Sequence, residues 1–323
     1  MDRGQLAEVE GWIAAADAGL VGLLPSEATA SIASDVAVLR AVHRFKAGNV
    51  TAAGEAAQQV LALEPSEESF WRTVAYCILG LTHYWAGRDE EALPALEEAV
   101  RLARLTGNEL AAAYVLGYLA LVRVERGELD GAERLAQEAA RLSDEPGFAE
   151  HFVLMIAHLA QGRIHERRGE LATADAALAR AVELARRGAG QIELAAACLA
   201  LADVRGRRGD VAGKEGLLQD AREKLELCSD PGVVALTLGA AERGPPAARR
   251  AGVPPGTALR EELTGRELEI LRLLRSTLSL REIGATLYVS HNTVKTHTRA
   301  IYRKLRVSTR EQAVARAREL RLL

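Results

Sequence analysis

Apolar residues recur three and four positions apart along most of the chain, as in Leu93, Leu96 and Val100. That spacing predicts amphipathic helices. A longer rhythm overlies it. Glycines followed by a polar residue stand at Gly4, Gly48, Gly87, Gly127, Gly169 and Gly209, with gaps of 44, 39, 40, 42 and 40 residues. Five residues after the glycine comes Ala53, Ala92, Ala132 or Ala174, with Val9 and Lys214 as exceptions; twelve after comes Ala16, Ala99, Ala139, Ala181 or Ala221, with Val60 as the exception. Seven before it stands a small residue: Ala41, Gly80, Ala120, Gly162 or Ala202. The pattern predicts pairs of antiparallel helices. The glycine ends the first helix in a left-handed conformation, and small residues sit where the two helices cross closely. Each pair leaves an apolar face that only its neighbour can cover, so the pairs stack into a solenoid.

The last sixty residues change period and predict four short helices. Thr264 with Glu267 forms a capping box for a helix through Arg275, with Ile270, Leu271 and Leu274 inward. Ser279 with Glu282 repeats the device for a short helix ending near Thr286, and the turn Leu287-Tyr288-Val289 follows. Ser290 caps a longer helix to about Leu305, and Ser308 with Glu311 opens a last helix to about Leu320. A short helix, a tight turn and a longer helix make a helix-turn-helix. On the longer helix, Val294, Thr298, Ile301 and Leu305 share the inward face. Asn292, Thr296, Arg299 and Arg303 share the opposite face, with Lys295 flanking.

Composition supports an all-α reading: aromatics are 4 %, while helix-favouring Ala, Leu, Glu and Arg abound. The formal net charge of −3 argues against a nucleic-acid ligand until it is divided along the chain. Arg260–Leu323 holds 14 basic and 7 acidic residues, a net +7, and the preceding body holds 27 and 37, a net −10. From Arg281 to Arg310 seven basic residues face one acid, Glu282. A helix fits the DNA major groove, where Lys or Arg can bond guanine and a threonine methyl can touch thymine. Four of the nine prolines fall between Pro245 and Pro255. They mark 229–262 as a semi-flexible linker between repeats over 1–228 and a basic domain over 263–323.

Other chemistry is sparse. Cys77, Cys198 and Cys228 form no CxxC pair and read as buried free thiols. His151, His158 and His165 recur every seven residues on one helix face, about 10.5 Å apart along the axis, too far to share one metal ion. Trp12, Trp71 and Trp85 read as repeat core, and Glu166–Glu170 as a solvated face. His297 flanks the longer helix and packs against its neighbour or donates to a phosphate. The N-terminus lacks the pattern of a signal peptide, and no apolar run approaches the ~20 residues of a membrane span. No nucleophile motif, cofactor loop or metal set is legible. The nearest approach to a phosphate loop, Gly213-Lys214, has Arg208 for the first glycine and Glu215 for the Ser/Thr.

Two resemblances follow. The small–Gly–Ala–Ala spacing over roughly 1–228 resembles the tetratricopeptide repeat, and Pro65 falls where that family often closes a repeat. The period near 40 exceeds the family's usual 34, which predicts longer links between helix pairs. Such repeats bind peptides, small ligands or one another, so an effector or partner at the repeats is expected. The tail, with LTxRExEIL, SxxEI, TVKxHxxxIYxKL and SxREQA, resembles the DNA-binding domain of LuxR-type bacterial transcription regulators. The resemblance implies that Lys295, Thr296 and Arg299 read bases. It implies that Ser290, Asn292, Thr293, Arg303 and Lys304 touch phosphates, and that Ala313, Val314 and Ala317 form a contact between two copies on double-stranded DNA. Thr277, Leu280, Thr298 and Arg306 depart from that family's usual residues. The Thr298 hydroxyl is expected to bond back to the preceding turn.

Repeats ahead of such a tail also resemble the large ATP-binding regulators of the MalT type, whose nucleotide-binding domain has no counterpart here. Only three residues precede Gly4. Either 5–20 form a stand-alone cap, or the chain begins where a longer ancestor was cut. The reading is a bacterial, cytoplasmic, nucleoid-associated regulator without enzymatic activity or cofactor, homodimeric on DNA. The alternative is a repeat scaffold with vestigial DNA binding, descended from a longer ATP-binding protein.

Overall fold

The computed structural model describes residues 3–21, 26–64, 66–145, 147–243, 263–276, 278–287, 291–305, 307, 309–319 and 322. Expectations for Pro65, the proline pairs of the linker, Thr277, Tyr288, Val289, Ser290, Arg306 and Ser308 lie outside them, as do those for the side chains of Asn292 and Thr293. The chain divides into two compact units, Met1–Leu238 and Gly239–Leu323.

The first unit is a stack of helices: α1 Arg3–Leu20, α2 Glu27–Lys46, α3 Val50–Leu63, α4 Phe70–Trp85, α5 Asp89–Leu105, α6 Glu109–Glu125, α7 Leu129–Ala140, α8 Met155–Arg168, α9 Leu171–Gly188, α10 Gln191–Arg207 and α11 Val211–Leu225, followed by α12 Val234–Arg243, which begins in this unit and runs past its end at Leu238. Helices α2 to α11 pack in successive pairs, each pair on the next. Between the partners of a pair stand Gly48, Gly87, Gly127, Gly169 and Gly209, all with φ between 70° and 86°. A side chain there would be strained, which is why glycine marks the turn. The small residues lie where the helices cross: Ala41, Ala53, Ala92, Ala99, Ala120, Ala132, Ala139, Ala174, Ala181 and Ala221 are fully buried. The approach is close enough that a Cβ on Gly80 would lie 2.4 Å from Leu96 Cδ2, and one on Gly162 would lie 2.4 Å from Leu178 Cγ.

Several expectations need correction. Gly4 lies inside the first turn of α1, so it ends no helix. The expected longer links are present between α7 and α8, with 14 residues, and between α3 and α4, with six, but the longer period resides partly in the helices. Three residues join α5 to α6 and two join α9 to α10, while these helices run 17 or 18 residues. Trp12 is 67 % exposed and is not core, in contrast to the buried Trp85. His151 precedes α8 and stacks on Phe152, so the three histidines share no helix face. Cys77 and Cys198 are buried free thiols, whereas Cys228 is half-buried; burial raises Cys77 and Cys198 to about 12 and Cys228 to about 11. Glu166 is not part of a solvated face. Its side chain, 10 % exposed, lies between Arg163 and Arg207 and so ties α8 to α10.

The stack curls until distant repeats meet. Lys46 at the end of α2 donates to the Gly188 carbonyl and sits over the Phe152 ring, 4.2 Å from its centroid. Inside the curl Glu193 is completely buried. Its Oε1 accepts from the Tyr114 and Tyr118 hydroxyls, the latter at 2.7 Å, and its Oε2 accepts from the Gly190 amide at 2.7 Å. Trp85 Nε1 donates to the Tyr118 oxygen at 3.1 Å. Burial, reinforced by the nearby carboxylate, holds both tyrosines well above the usual phenol range, so they act as donors.

Residues 229–243, expected to be linker, carry structure. Val50 N donates to Asp230 O at 3.0 Å, Asp230 N to Gly48 O at 3.1 Å, and Val233 N to Trp85 O at 2.8 Å. The Asp230 carboxylate takes the Thr51 amide at 2.8 Å. The segment thus returns to the turns of two early repeats, and α12 follows with Val234 and Leu238 buried. Its distant partners, at Gly48, Val50, Thr51 and Trp85, and the prolines around it hid this from a reading based on periodicity.

Candidate nucleic-acid interface

The second unit contains α13 Gly265–Leu273, α14 Leu280–Thr286, α15 His291–Leu305 and α16 Arg310–Glu319. Ile270, Leu271, Leu274, Ile283, Val294, Ile301, Leu305, Ala313 and Ala317 form one core. Helices α13, α14 and α16 start where a side chain satisfies free amides. Thr264 Oγ1 accepts from Glu267 N at 3.2 Å while Glu267 Oε2 accepts from Thr264 N at 2.6 Å. Ser279 and Glu282 repeat this at 3.2 and 2.7 Å. At the last helix Gln312 N donates to Thr309 Oγ1 at 3.2 Å, so Thr309 caps it. Thr309→Ala should therefore cost the second unit about 1 kcal/mol. Thermal unfolding read as a drop of roughly 4–8 °C for a domain this small would check it.

Val294, Thr298, Ile301 and Leu305 point inward, none more than 5 % exposed. The Thr298 hydroxyl, otherwise an awkward buried group, donates to Val294 O at 2.8 Å. Lys295, Thr296, Arg299 and Arg303 are exposed on the other side of α15, and His297 is half-buried. Glu282 is the acid of the neighbouring α14. The Ser279 amide and hydroxyl beside it hold its carboxyl below the usual range, so it stays charged at the helix N-terminus. A row of two basic groups and a threonine, with Arg303 one turn on, can present donors and a methyl group to base edges and donors to phosphates.

Not every expected residue joins that face. Lys304 donates to Glu267 Oε2 at 2.8 Å, with the two side chains 12 % and 4 % exposed. At 100° per residue it lies about 90° from the centre of the inward face, close enough for a long side chain to reach the α13 carboxylate. Ala313 and Ala317 are fully buried in the core of their own unit, so they cannot form the contact between two copies that was expected of them. Four residues apart and small, they let α16 pack closely. Val314 is partly buried against the same core. The outward residues of α16 are Glu311, Gln312, Ala315 and Arg318.

One positioning residue escaped the sequence reading. The Arg310 guanidinium donates to Leu274 O at 2.9 Å, Leu278 O at 2.6 Å and Ser276 O at 2.7 Å. It gathers the carbonyls between α13 and α14 and so fixes where α14 starts. Counted by charge alone, Arg310 looked like part of the basic patch. Its position at the first turn of α16 was the only available hint.

The family model for the MalT-like TPR region matches residues 34–227. The model for bacterial regulatory proteins of the luxR family matches 261–317. Among curated relatives, a probable transcriptional regulatory protein NarL of Mycobacterium tuberculosis is 48 % identical over 61 residues, covering 19 % of this chain and 28 % of the relative. Transcriptional regulatory protein LiaR of Bacillus subtilis is 49 % identical over 57 residues, covering 18 % and 27 %. The chain thus spans little more than a quarter of the length of these relatives, all within its C-terminal unit. Among solved structures, BtubC (BKLC) from P. vanneervenii aligns with a TM-score of 0.45 at 15 % identity, covering 80 % of this chain and 96 % of that one. With 34–227 amounting to more than half of its residues, the chain belongs to the MalT-like TPR family, and it carries a C-terminal LuxR-family transcription-regulator domain.

Proposed function

We propose that the protein is a sequence-specific DNA-binding transcription regulator. Its α15 enters the major groove, with Lys295, Thr296 and Arg299 at base edges and Ser290, Asn292, Thr293 and Arg303 toward phosphates. The supporting observation is the exposed face of α15, basic and without an acid, on a helix whose opposite face is locked into a core. Lys304 has no part in this reading, because Glu267 holds it. Two copies bind two half-sites, since the symmetry of a DNA site mirrors that of the protein. The outward residues of α16 are available for their contact. The repeats take up the effector or partner that sets activity.

The full chain, titrated onto duplexes selected from random sequence, is expected to bind with affinity falling linearly in the logarithm of salt concentration. The three outward cations of α15, Lys295, Arg299 and Arg303, give an expected slope of about −3 per copy. Arg303→Ala is expected to lower that slope by about 1 without changing which sequences are selected. Binding indifferent to salt, or selection that yields no motif, defeats the proposal.

A further inference from the structure

The segment after α11 spans a large interval of the chain with a small amount of structure. Asp230 and Val233 are tied to Gly48, Val50, Thr51 and Trp85, and Asn49 Nδ2 donates to Ser229 Oγ at 3.0 Å. The partners around Gly48 sit about 180 residues earlier and Trp85 sits 148 residues before Val233, all at the turns between helices. They are peptide groups that no helix ladder occupies, so the segment takes them without displacing anything. Gly232 makes the fit possible. Its φ is +59°, and a Cβ there would lie 2.1 Å from Trp85 O. Gly48 makes similar room for Cys228, whose Sγ would lie 2.2 Å from a Cβ on that glycine. Between 228 and 238 only Val234 and Leu238 are buried.

We propose that residues 229–238 are a releasable clasp. Docked, they fasten the end of the repeat stack to its early turns, and the chain leaves the repeat unit near Leu238. Released, they free the curl to open and lengthen the tether to the DNA-binding unit by ten residues, roughly 33–36 Å of extended reach. Two buried aliphatic side chains and a handful of hydrogen bonds oppose the backbone entropy of ten ordered residues. The two sides are of similar size, so opening costs less than unfolding the helices beneath. The same curl is also held by the Lys46–Gly188 contact, two residues from Gly48, and by the buried Glu193 cluster, which shares Trp85 with the clasp. An effector that spreads the repeats must therefore stretch the clasp, which directly precedes the tether. This inference concerns the repeat unit and does not depend on which bases α15 reads.

Hydrogen exchange on the full chain tests it. Peptides covering 228–238 are expected to exchange at least a hundredfold faster than those from α6 under native conditions. Equal rates would mean that the segment opens only with the whole unit, and would overturn the proposal. Gly232→Val is expected to abolish the remaining protection of 228–238 and leave α6 unchanged; loss of protection in α6 as well would count against a separate clasp. Spin labels on Glu97→Cys and Arg318→Cys supply a second readout. Their distance distribution is expected to widen in Gly232→Val and to narrow when Asn49→Cys and Ser229→Cys are cross-linked. A distribution that ignores both changes overturns the link between clasp and tether, whatever the DNA-binding result.

Discussion

Glu193→Leu is expected to be among the most damaging single substitutions in the repeat unit, costing about 3–6 kcal/mol. The carboxylate is wholly buried and accepts from three donors, two tyrosine hydroxyls and the Gly190 amide. Leucine fills the space but leaves those donors without an acceptor, and a stranded buried donor costs about 1–3 kcal/mol. Against a total stability of roughly 5–15 kcal/mol, such a loss leaves the unit marginal or unfolded. Glu193→Gln separates packing from charge. Its carbonyl can still serve both tyrosines, but its amide would then face the Gly190 N–H, donor to donor. The glutamine variant should lose about 1–3 kcal/mol, clearly less than leucine. Denaturant unfolding followed by circular dichroism ranks the two. Equal losses would show that size, not hydrogen bonding, matters there.

The second large effect belongs to Lys304. Lys304→Ala is expected to destabilise the DNA-binding unit by about 3–5 kcal/mol, because it leaves the Glu267 carboxylate buried without its cation. Replacing both partners should restore most of the loss. Glu267→Gln keeps a side chain able to cap Thr264, and Lys304→Met keeps the packing volume. If Lys304 instead served DNA, Lys304→Ala would leave unfolding unchanged and weaken binding, and Glu267→Gln with Lys304→Met would rescue nothing. Thermal melts alongside titrations on DNA distinguish these cases.

How far the fold was legible depended on whether the determining interaction was local. The glycine turns and the small residues at helix crossings were readable, because each is imposed by neighbours within one helix pair. So were the caps at Thr264 and Ser279, whose partners lie three residues away. The reading failed where partners are distant. Nothing near Lys304 announces a carboxylate 37 residues earlier, and nothing near Asp230 announces the turn at Gly48. Arg310 looked like surface charge because its three carbonyl acceptors lie across the unit. Ala313 and Ala317 show a different failure. The resemblance implied an intermolecular contact, while their own spacing already carried the mark of close packing seen throughout the repeats. Trp12 shows that apolar character alone does not place a side chain in a core.

On the candidate interface, the helical period separated the inward from the outward residues of α15, and that separation carries the functional proposal. It leaves open to experiment which outward residues discriminate bases and which only add affinity. Arg299→Ala answers this most directly. Bound sequences selected by the full chain and by the variant should differ at one base position per half-site, where discrimination falls by about 1–3 kcal/mol while other positions keep their preference. A variant that binds every sequence more weakly by the same factor, with its preferred motif intact, would contradict base reading by α15.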